Sequence, residues 1–184
     1  MGDVTDLLRR ARGADRAAID ELVGLVYPDL HRMARARLAA NDTITLLDTT
    51  SMVHEVYLRL HQAARIEADC RGQFFAYASQ VMRSVIVDFA RKRQADRRGG
   101  GASNVTLATE VLGGGASTDD DIDRIDDALR ELEGIDPRLK EVVEMRFFGG
   151  FTEPEIAEAL GVTERTVRRD WERARMLLSV SLRR

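Results

Sequence analysis

Residues 151–178 read FTEPEIAEALGVTERTVRRDWERARMLL, and the spacing inside this stretch decides the fold. Thr152 stands three residues before Glu155, the separation of a reciprocal capping box that opens a helix. Ile156, Ala157 and Leu160 follow at helical steps, and Gly161 stops the run. Thr163 offers a hydroxyl to cap a second helix, in which Val167, Trp171, Ala174 and Leu178 step by 4, 3 and 4. The stretch predicts a short helix over 153–160, a tight turn at Gly161-Val162 and a longer helix over 163–178, the dimensions of a helix-turn-helix. With Val167 and Trp171 turned inward, the outer face carries Arg165, Arg168, Arg169, Glu172 and Arg173. A recognition helix in the major groove presents its N-terminal residues to base edges. The arginine fork suits guanine O6 and N7. Thr163 and Thr166 suit phosphates or thymine methyls. The competing reading is a plain helical hairpin with a solvated arginine face. The glycine turn, the cap and four arginines within nine residues favour DNA.

Upstream of this stretch the pattern is also helical. Asp136-Pro137 reads as an N-cap followed by proline at the first helical position. Leu139, Val142, Val143 and Phe147 form its stripe, and Gly149-Gly150 ends it. A short helix is expected around 122–133. Near the N-terminus, Ile19, Leu22, Val23, Val26, Leu30, Met33 and Leu38 recur at three- and four-residue steps, as do Met52, Val56 and Leu60. Over 72–93, Phe74, Ala78, Val81, Met82, Val85 and Phe89 make a stripe, with Gln80, Arg83, Ser84 and Arg91 largely off it. With a short leading helix around 4–11, these predict an N-terminal bundle of about four helices. Between the two groups lie Gly99-Gly100-Gly101 and Gly113-Gly114-Gly115. Glycine triplets resist helix and strand alike. The expected fold is all-α: two small helical domains, 1–96 and 122–184, joined by a flexible Gly-rich, acidic linker over 97–121, the second domain holding the helix-turn-helix.

The formal charge of the 184 residues, −3 from 28 bases and 31 acids, conceals a segregation. Residues 1–95 hold 14 bases and 12 acids, residues 96–134 hold 4 and 10, and residues 135–184 hold 10 and 9. The acidity sits in the middle, chiefly in Asp119, Asp120, Asp121, Asp123, Asp126 and Asp127, and reads as a solvated run that starts a helix. Arg91, Lys92 and Arg93, followed by Arg97 and Arg98, close a helix that begins with Phe74, Phe75 and Tyr77. Such a surface can track a phosphate backbone and stack unpaired bases. The alternative is that the aromatics are core and the basic end complements the helix dipole. Core is the better reading for Phe74, Phe75 and Phe89, and nucleic acid for the basic end.

No catalytic constellation assembles. His31, His54 and His61 form no HExxH, the glycine triplets precede no Lys-Ser or Lys-Thr, and the aspartates lack the glycine and terminal glutamate of a calcium loop. No metal site and no cofactor are expected. Cys70 is the only cysteine, so no intrachain disulfide is expected. No apolar run approaches a membrane span, and MGDVTDLLRR has no signal-peptide core. A cytoplasmic protein without enzymatic activity is the expectation.

Three stretches together resemble bacterial RNA polymerase sigma factors of the extracytoplasmic-function (ECF) class, in an ECF-like subgroup. Asp48 to Leu60, DTTSMVHEVYLRL, resembles the family's region 2.2. Phe74 to Arg93, FFAYASQVMRSVIVDFARKR, resembles regions 2.3 and 2.4. The C-terminal FTEPEIAEALGVTERTVRRDWERARMLL resembles region 4.2. The resemblance implies a promoter-specificity factor that directs core polymerase and promotes DNA opening. It implies that Asp48, His54, Glu55, Leu58 and Arg59 face the clamp helices of the largest polymerase subunit, and that the flap is a second contact. His54 stands where the family commonly has glutamine. The loop 61–73 and the helix from Phe74 to Arg93 would capture the minus-10 element, with Gln80, Arg83, Ser84, Arg91, Lys92 and Arg93 as its DNA-facing residues. Thr163, Arg165, Thr166, Arg168, Arg169 and Arg173 would read the minus-35 element. Implied partners are core polymerase, promoter DNA and an anti-sigma factor, with no membrane and a monomer when free. The alternatives are a helix-turn-helix regulator acting on duplex DNA without sigma activity, and a protein-interaction adaptor.

Overall fold

The computed structural model describes residues 4–13, 15–39, 48–63, 66–96 and 120–182. Among them the regular elements are α1 (Val4–Arg12), α2 (Arg16–Ala39), α3 (Thr49–Gln62), α4 (Arg71–Asp96), α5 (Asp120–Ile135), α6 (Pro137–Val143), a π turn (Glu144–Phe148), α7 (Glu153–Leu160) and α8 (Glu164–Ser181). The fold is all-α, as the periodicity predicts. The glycine-rich 97–119 lies outside the described residues. α5 begins at Asp120, slightly ahead of the expected boundary, where aspartates favour a helix N-terminus.

Local chemistry sets where helices start. Asp48 caps α3 by accepting from Thr50 N and Ser51 N. Asp136 accepts from Arg138 N at 3.1 Å, with Pro137 in the first turn of α6. Glu155 accepts from both Thr152 N and Thr152 Oγ1 at 2.8 Å. Thr163 Oγ1 accepts from Thr166 N at 3.2 Å. α2 continues through Pro28, which has no N–H for the preceding turn.

One feature escapes the periodicity. The helix begun at Pro137 ends in a widened turn, in which Gly149 N donates to Glu144 O at 3.0 Å, five residues back. Helical stripes at three- and four-residue steps carry no signature of a single wider ring. The turn buries Glu144, Met145, Phe147 and Phe148. Gly150 follows at φ +67°.

Two groups of helices result. α1, α2, α3 and α4 pack in sequence around Leu7, Leu22, Leu30, Met52, Leu60, Phe74 and Met82. α5, α6, α7 and α8 pack around Leu129, Leu139, Val142, Val167, Trp171 and Leu178. The groups meet along α4, which lies against the π turn, α7 and α5, and their buried side chains form one continuous cluster. The approach is close: a Cβ on Gly72 of α4 would stand 2.4 Å from Ala159 Cα of α7.

Candidate nucleic-acid and polymerase interface

The outer face of α8 is built by what its inner face buries. Val167, Trp171, Ala174 and Leu178 point inward, joined by Asp170. Arg165, Arg168, Arg169 and Arg173 are consequently exposed, Thr163 beside them and Thr166 half-buried. The two threonine hydroxyls lie 3.0 Å apart. Gly161, at φ +65° and ψ 33°, turns the chain from α7 into α8. Asp170 is 2% exposed and accepts from Arg138 Nε at 2.7 Å, tying α8 to α6. This carboxylate raises the Arg138 pKa above its ordinary value, by hydrogen bond first and by charge second.

The four arginines are not equivalent. Arg168 donates to Glu153 Oε2 from Nε at 3.2 Å and from Nη2 at 2.9 Å. Glu153 also accepts from Arg146 Nη1 at 3.1 Å, and Arg146 lies 4.5 Å over the Trp171 ring. The Arg168 bonds, chiefly, hold the Glu153 carboxyl below its ordinary pKa. Arg169 Nη2 reaches Asp170 Oδ1 at 3.4 Å, and Arg173 Nη1 reaches Asp136 at 3.7 Å. Arg165 makes no ion pair with a described residue.

The basic side of α4 is occupied. Arg83 donates to Asp126 of α5, and its Nε stands 2.9 Å from Glu144 Oε1 of the π turn. Arg91 lies 3.6 Å from Asp126 Oδ2, and Arg130 lies 2.7 Å from the same oxygen. Asp126 is only 6% exposed, which corrects its reading as part of a solvated run. The α5 stripe of Ile125, Ala128, Leu129 and Leu132 turns inward, and Asp126 sits at the edge of that stripe facing α4. Glu144 is wholly buried. Loss of water is the main cause that raises its carboxyl to about pKa 7, against the lowering effect of Arg83 and Lys140. Gln80 is half-buried and lines a polar cavity with Glu67, Asp69, Gln73, Tyr77 and Glu141. Lys92 is exposed. Arg93 lies on the α4 backbone, and its side chain is outside the described set.

On α3, His54 and Glu55 are exposed and Leu58 is half-buried. Asp48 has a structural task, since Ser51 Oγ also donates to it at 2.7 Å. That hydroxyl bond is the first cause of its lowered pKa. Arg59 turns toward α4, donating to Ser84 Oγ and to Asp88 Oδ2 at 2.8 Å. A residue expected at the polymerase and one expected at the minus-10 strand therefore bond each other.

Residues 1–184 match the ECF sigma factor family. The chain belongs to that family. It is similar to the ECF RNA polymerase sigma factor SigK of Mycobacterium tuberculosis and of Mycobacterium bovis, each 27% identical over 173 residues, covering 90% of this chain and 86% of the relative. The SigK of Mycobacterium ulcerans is 24% identical over the same span. The protein is accordingly an RNA polymerase sigma factor acting in transcription initiation, and core polymerase and promoter DNA are its family's partners. A stand-alone duplex-binding regulator is not favoured, because the match includes the N-terminal helices. Sigma factors are in general regulators rather than enzymes. Among the described residues no helix is long and apolar enough to cross a membrane, and no histidine, cysteine or carboxylate group is set to hold a metal.

For this sigma factor, sequence reasoning missed the acids that organise the arginines: Glu144, Glu153 and Asp170. Asp170 carried a signal, lying three residues after Val167 and one before Trp171 on the inward face. Glu144 carried a weaker one, as the polar member of the Val142–Phe147 stripe. Glu153 had none, since its bonds to Arg146 and Arg168 depend on how α7 meets α8.

Proposed function

We propose that this sigma factor divides promoter recognition between its two helix groups, which act as domains over 1–96 and 122–184 joined by the segment 97–121. In this reading Thr163, Arg165, Thr166, Arg168, Arg169 and Arg173 of α8 read the minus-35 duplex. Gln80, Arg83, Ser84, Arg91, Lys92 and Arg93 of α4 engage the minus-10 strand, where contacts to unstacked bases offset the cost of opening, a few kcal/mol per flipped base. Asp48, His54, Glu55, Leu58 and Arg59 form the side toward the polymerase clamp helices, with Asp48 acting by holding the start of α3. The C-terminal group meets the flap. The protein works as a cytoplasmic, non-enzymatic factor without cofactor, monomeric when free and open to control by an anti-sigma protein.

The observation that carries this reading is the exposed arginine face of α8, backed by the buried Val167–Trp171–Ala174–Leu178 stripe and opened by the Thr163 cap. A helix fixed on one side and cationic on the other meets the requirement for major-groove docking. Run-off transcription with purified core polymerase on a promoter library tests it. The expected result is initiation at a defined promoter class that requires this chain and is lost when Arg168 and Arg169 are both changed to alanine with folding intact. Unchanged promoter selection by that double variant would refute the assignment to α8.

A further inference from the structure

We infer that the carboxylates behind the arginine face of α8, Asp136, Glu153 and Asp170, set its specificity: they hold Arg173, Arg168 and Arg169 back from the phosphates of arbitrary duplex DNA and leave them able to meet base edges. That this selection serves the minus-35 duplex rests on the role proposed for α8; the restraint on phosphate binding does not.

The same arrangement recurs at each carboxylate: one oxygen is fixed from the inner side and the other is turned to an arginine of the face. Glu153 Oε1 accepts from Arg146 of the π turn at 3.1 Å, and its Oε2 accepts from Arg168 Nη2 at 2.9 Å. Arg146 is itself seated 4.5 Å over the Trp171 ring. Asp170 Oδ2 accepts from Arg138 Nε at 2.7 Å, and its Oδ1 lies 3.4 Å from Arg169 Nη2. Asp136 Oδ1 accepts from Arg138 N at 3.1 Å as the cap of α6, and its Oδ2 lies 3.7 Å from Arg173 Nη1. The side chains of Arg168, Arg169 and Arg173 are 65%, 71% and 55% exposed, and those of Glu153, Asp170 and Asp136 are 23%, 2% and 26% exposed. The acids therefore form a fixed inner layer and the arginines an accessible outer one.

Duplex DNA of any sequence is held by cations that displace counterions from its phosphates, and each phosphate neutralised steepens the fall of log K with log salt by about 0.9. An arginine that swings to a phosphate abandons a carboxylate that cannot follow it, and leaves that negative charge beside the DNA. The α8 arginines thus neutralise fewer phosphates than their number allows. A base edge asks for less. The guanidinium fork carries more N–H donors than one carboxylate takes. Arg168 gives Glu153 only Nε–H and one N–H of Nη2. Its outer edge, Nη1 with the second N–H of Nη2, is left to span guanine O6 and N7. Contact with a guanine therefore keeps the ion pair that phosphate binding breaks.

Asp136→Asn together with Glu153→Gln removes two of the charges and keeps the helix cap and the acceptor atoms. Binding of a random-sequence duplex to the free full-length chain, followed by fluorescence anisotropy across a salt series, tests the restraint. The double variant is expected to bind on the order of tenfold tighter at low salt, with a salt slope steeper by about 2, and Glu153→Gln alone to give about half that steepening, both at unchanged helix content. Adding Arg168→Ala and Arg173→Ala should cancel the gain. Asp6→Asn with Glu21→Gln, on α1 and α2, makes the same change in net charge away from α8 and should leave the slope as it is. An unchanged slope in the Asp136/Glu153 variant, an equal steepening in the α1/α2 control, or a gain that survives loss of the two arginines overturns the inference. A slope that steepens as expected, in a holoenzyme whose transcription ignores minus-35 substitutions, would leave the restraint standing and remove the assigned role of α8.

Discussion

Arg83 and Glu144 face each other across the two helix groups, Nε 2.9 Å from Oε1, and both Glu144 oxygens are buried. The pair joins α4 to the π turn at the point where the N-terminal helices meet the C-terminal ones. It is a contact tolerated because Asp126 completes the coordination of Arg83 and because Met145, Phe147 and Phe148 bury apolar surface around it.

A pH dependence follows. The groups facing Glu144 are Arg83 of α4 and Lys140 of α6, which lower its pKa, and Glu133 of α5, which raises it, with burial outweighing the rest. The folded pKa of about 7 exceeds the ordinary carboxyl value of 4.5, so between these values the native state holds a proton that the unfolded chain has released. Stability is then greatest at the acid end of this window and falls as pH rises toward 7, by up to about 3 kcal/mol. Urea denaturation at pH 5 and pH 8 should show this loss in the wild type, and Glu144→Gln should flatten it. An equal slope in both proteins would remove Glu144 as the cause.

The turn between α7 and α8 depends on a left-handed residue. Gly161 has φ +65°, and an added Cβ there meets no atom within 4 Å. Gly161→Ala should therefore cost only the backbone penalty, about 1 kcal/mol, read as a lowered urea midpoint at unchanged m-value. A loss several times larger would mean that the turn geometry differs.

Asp170 should matter more. It is buried, and it anchors Arg138 of α6 at 2.7 Å. Asp170→Ala removes a charge-assisted bond between α8 and α6 and should destabilise the chain by roughly 2 kcal/mol. A variant as stable as wild type would show that apolar contacts alone fix α8.

The α8 arginines should separate by their partners. Arg165 has no ion pair among the described residues, whereas Arg168 is held by Glu153. Arg165→Ala should weaken holoenzyme binding to promoter duplex by about 1–3 kcal/mol if the side chain reads a base edge. A phosphate contact would instead reduce the salt slope by about 1 across all sequences. Glu153→Gln should loosen Arg168 and narrow discrimination at one base position several-fold, while changing stability by under about 1 kcal/mol because the pair is largely exposed. No change in discrimination would make Glu153 a solubility residue only.

Much of this was legible in the sequence because caps and stripes are local. The Thr152–Glu155 box, Asp136-Pro137, the Thr163 cap and the Val167–Leu178 stripe involve residues within one or two helical turns, and each stands where its spacing predicts. What was not legible is long-range. Arg83 and Asp126 are separated by 43 positions, and no local pattern announces that an arginine off one stripe will meet an aspartate at the edge of another. The π turn was invisible for the opposite reason, since one widened ring leaves the spacing of buried residues almost unchanged.

The central claim, that the exposed arginine face of α8 selects the promoter, is tested most directly by run-off transcription with core polymerase on promoters that differ only in the minus-35 element. The account predicts that the wild-type chain distinguishes these promoters and that the protein carrying both Arg168→Ala and Arg169→Ala, at unchanged helix content, does not. Undiminished discrimination by that double variant would contradict it.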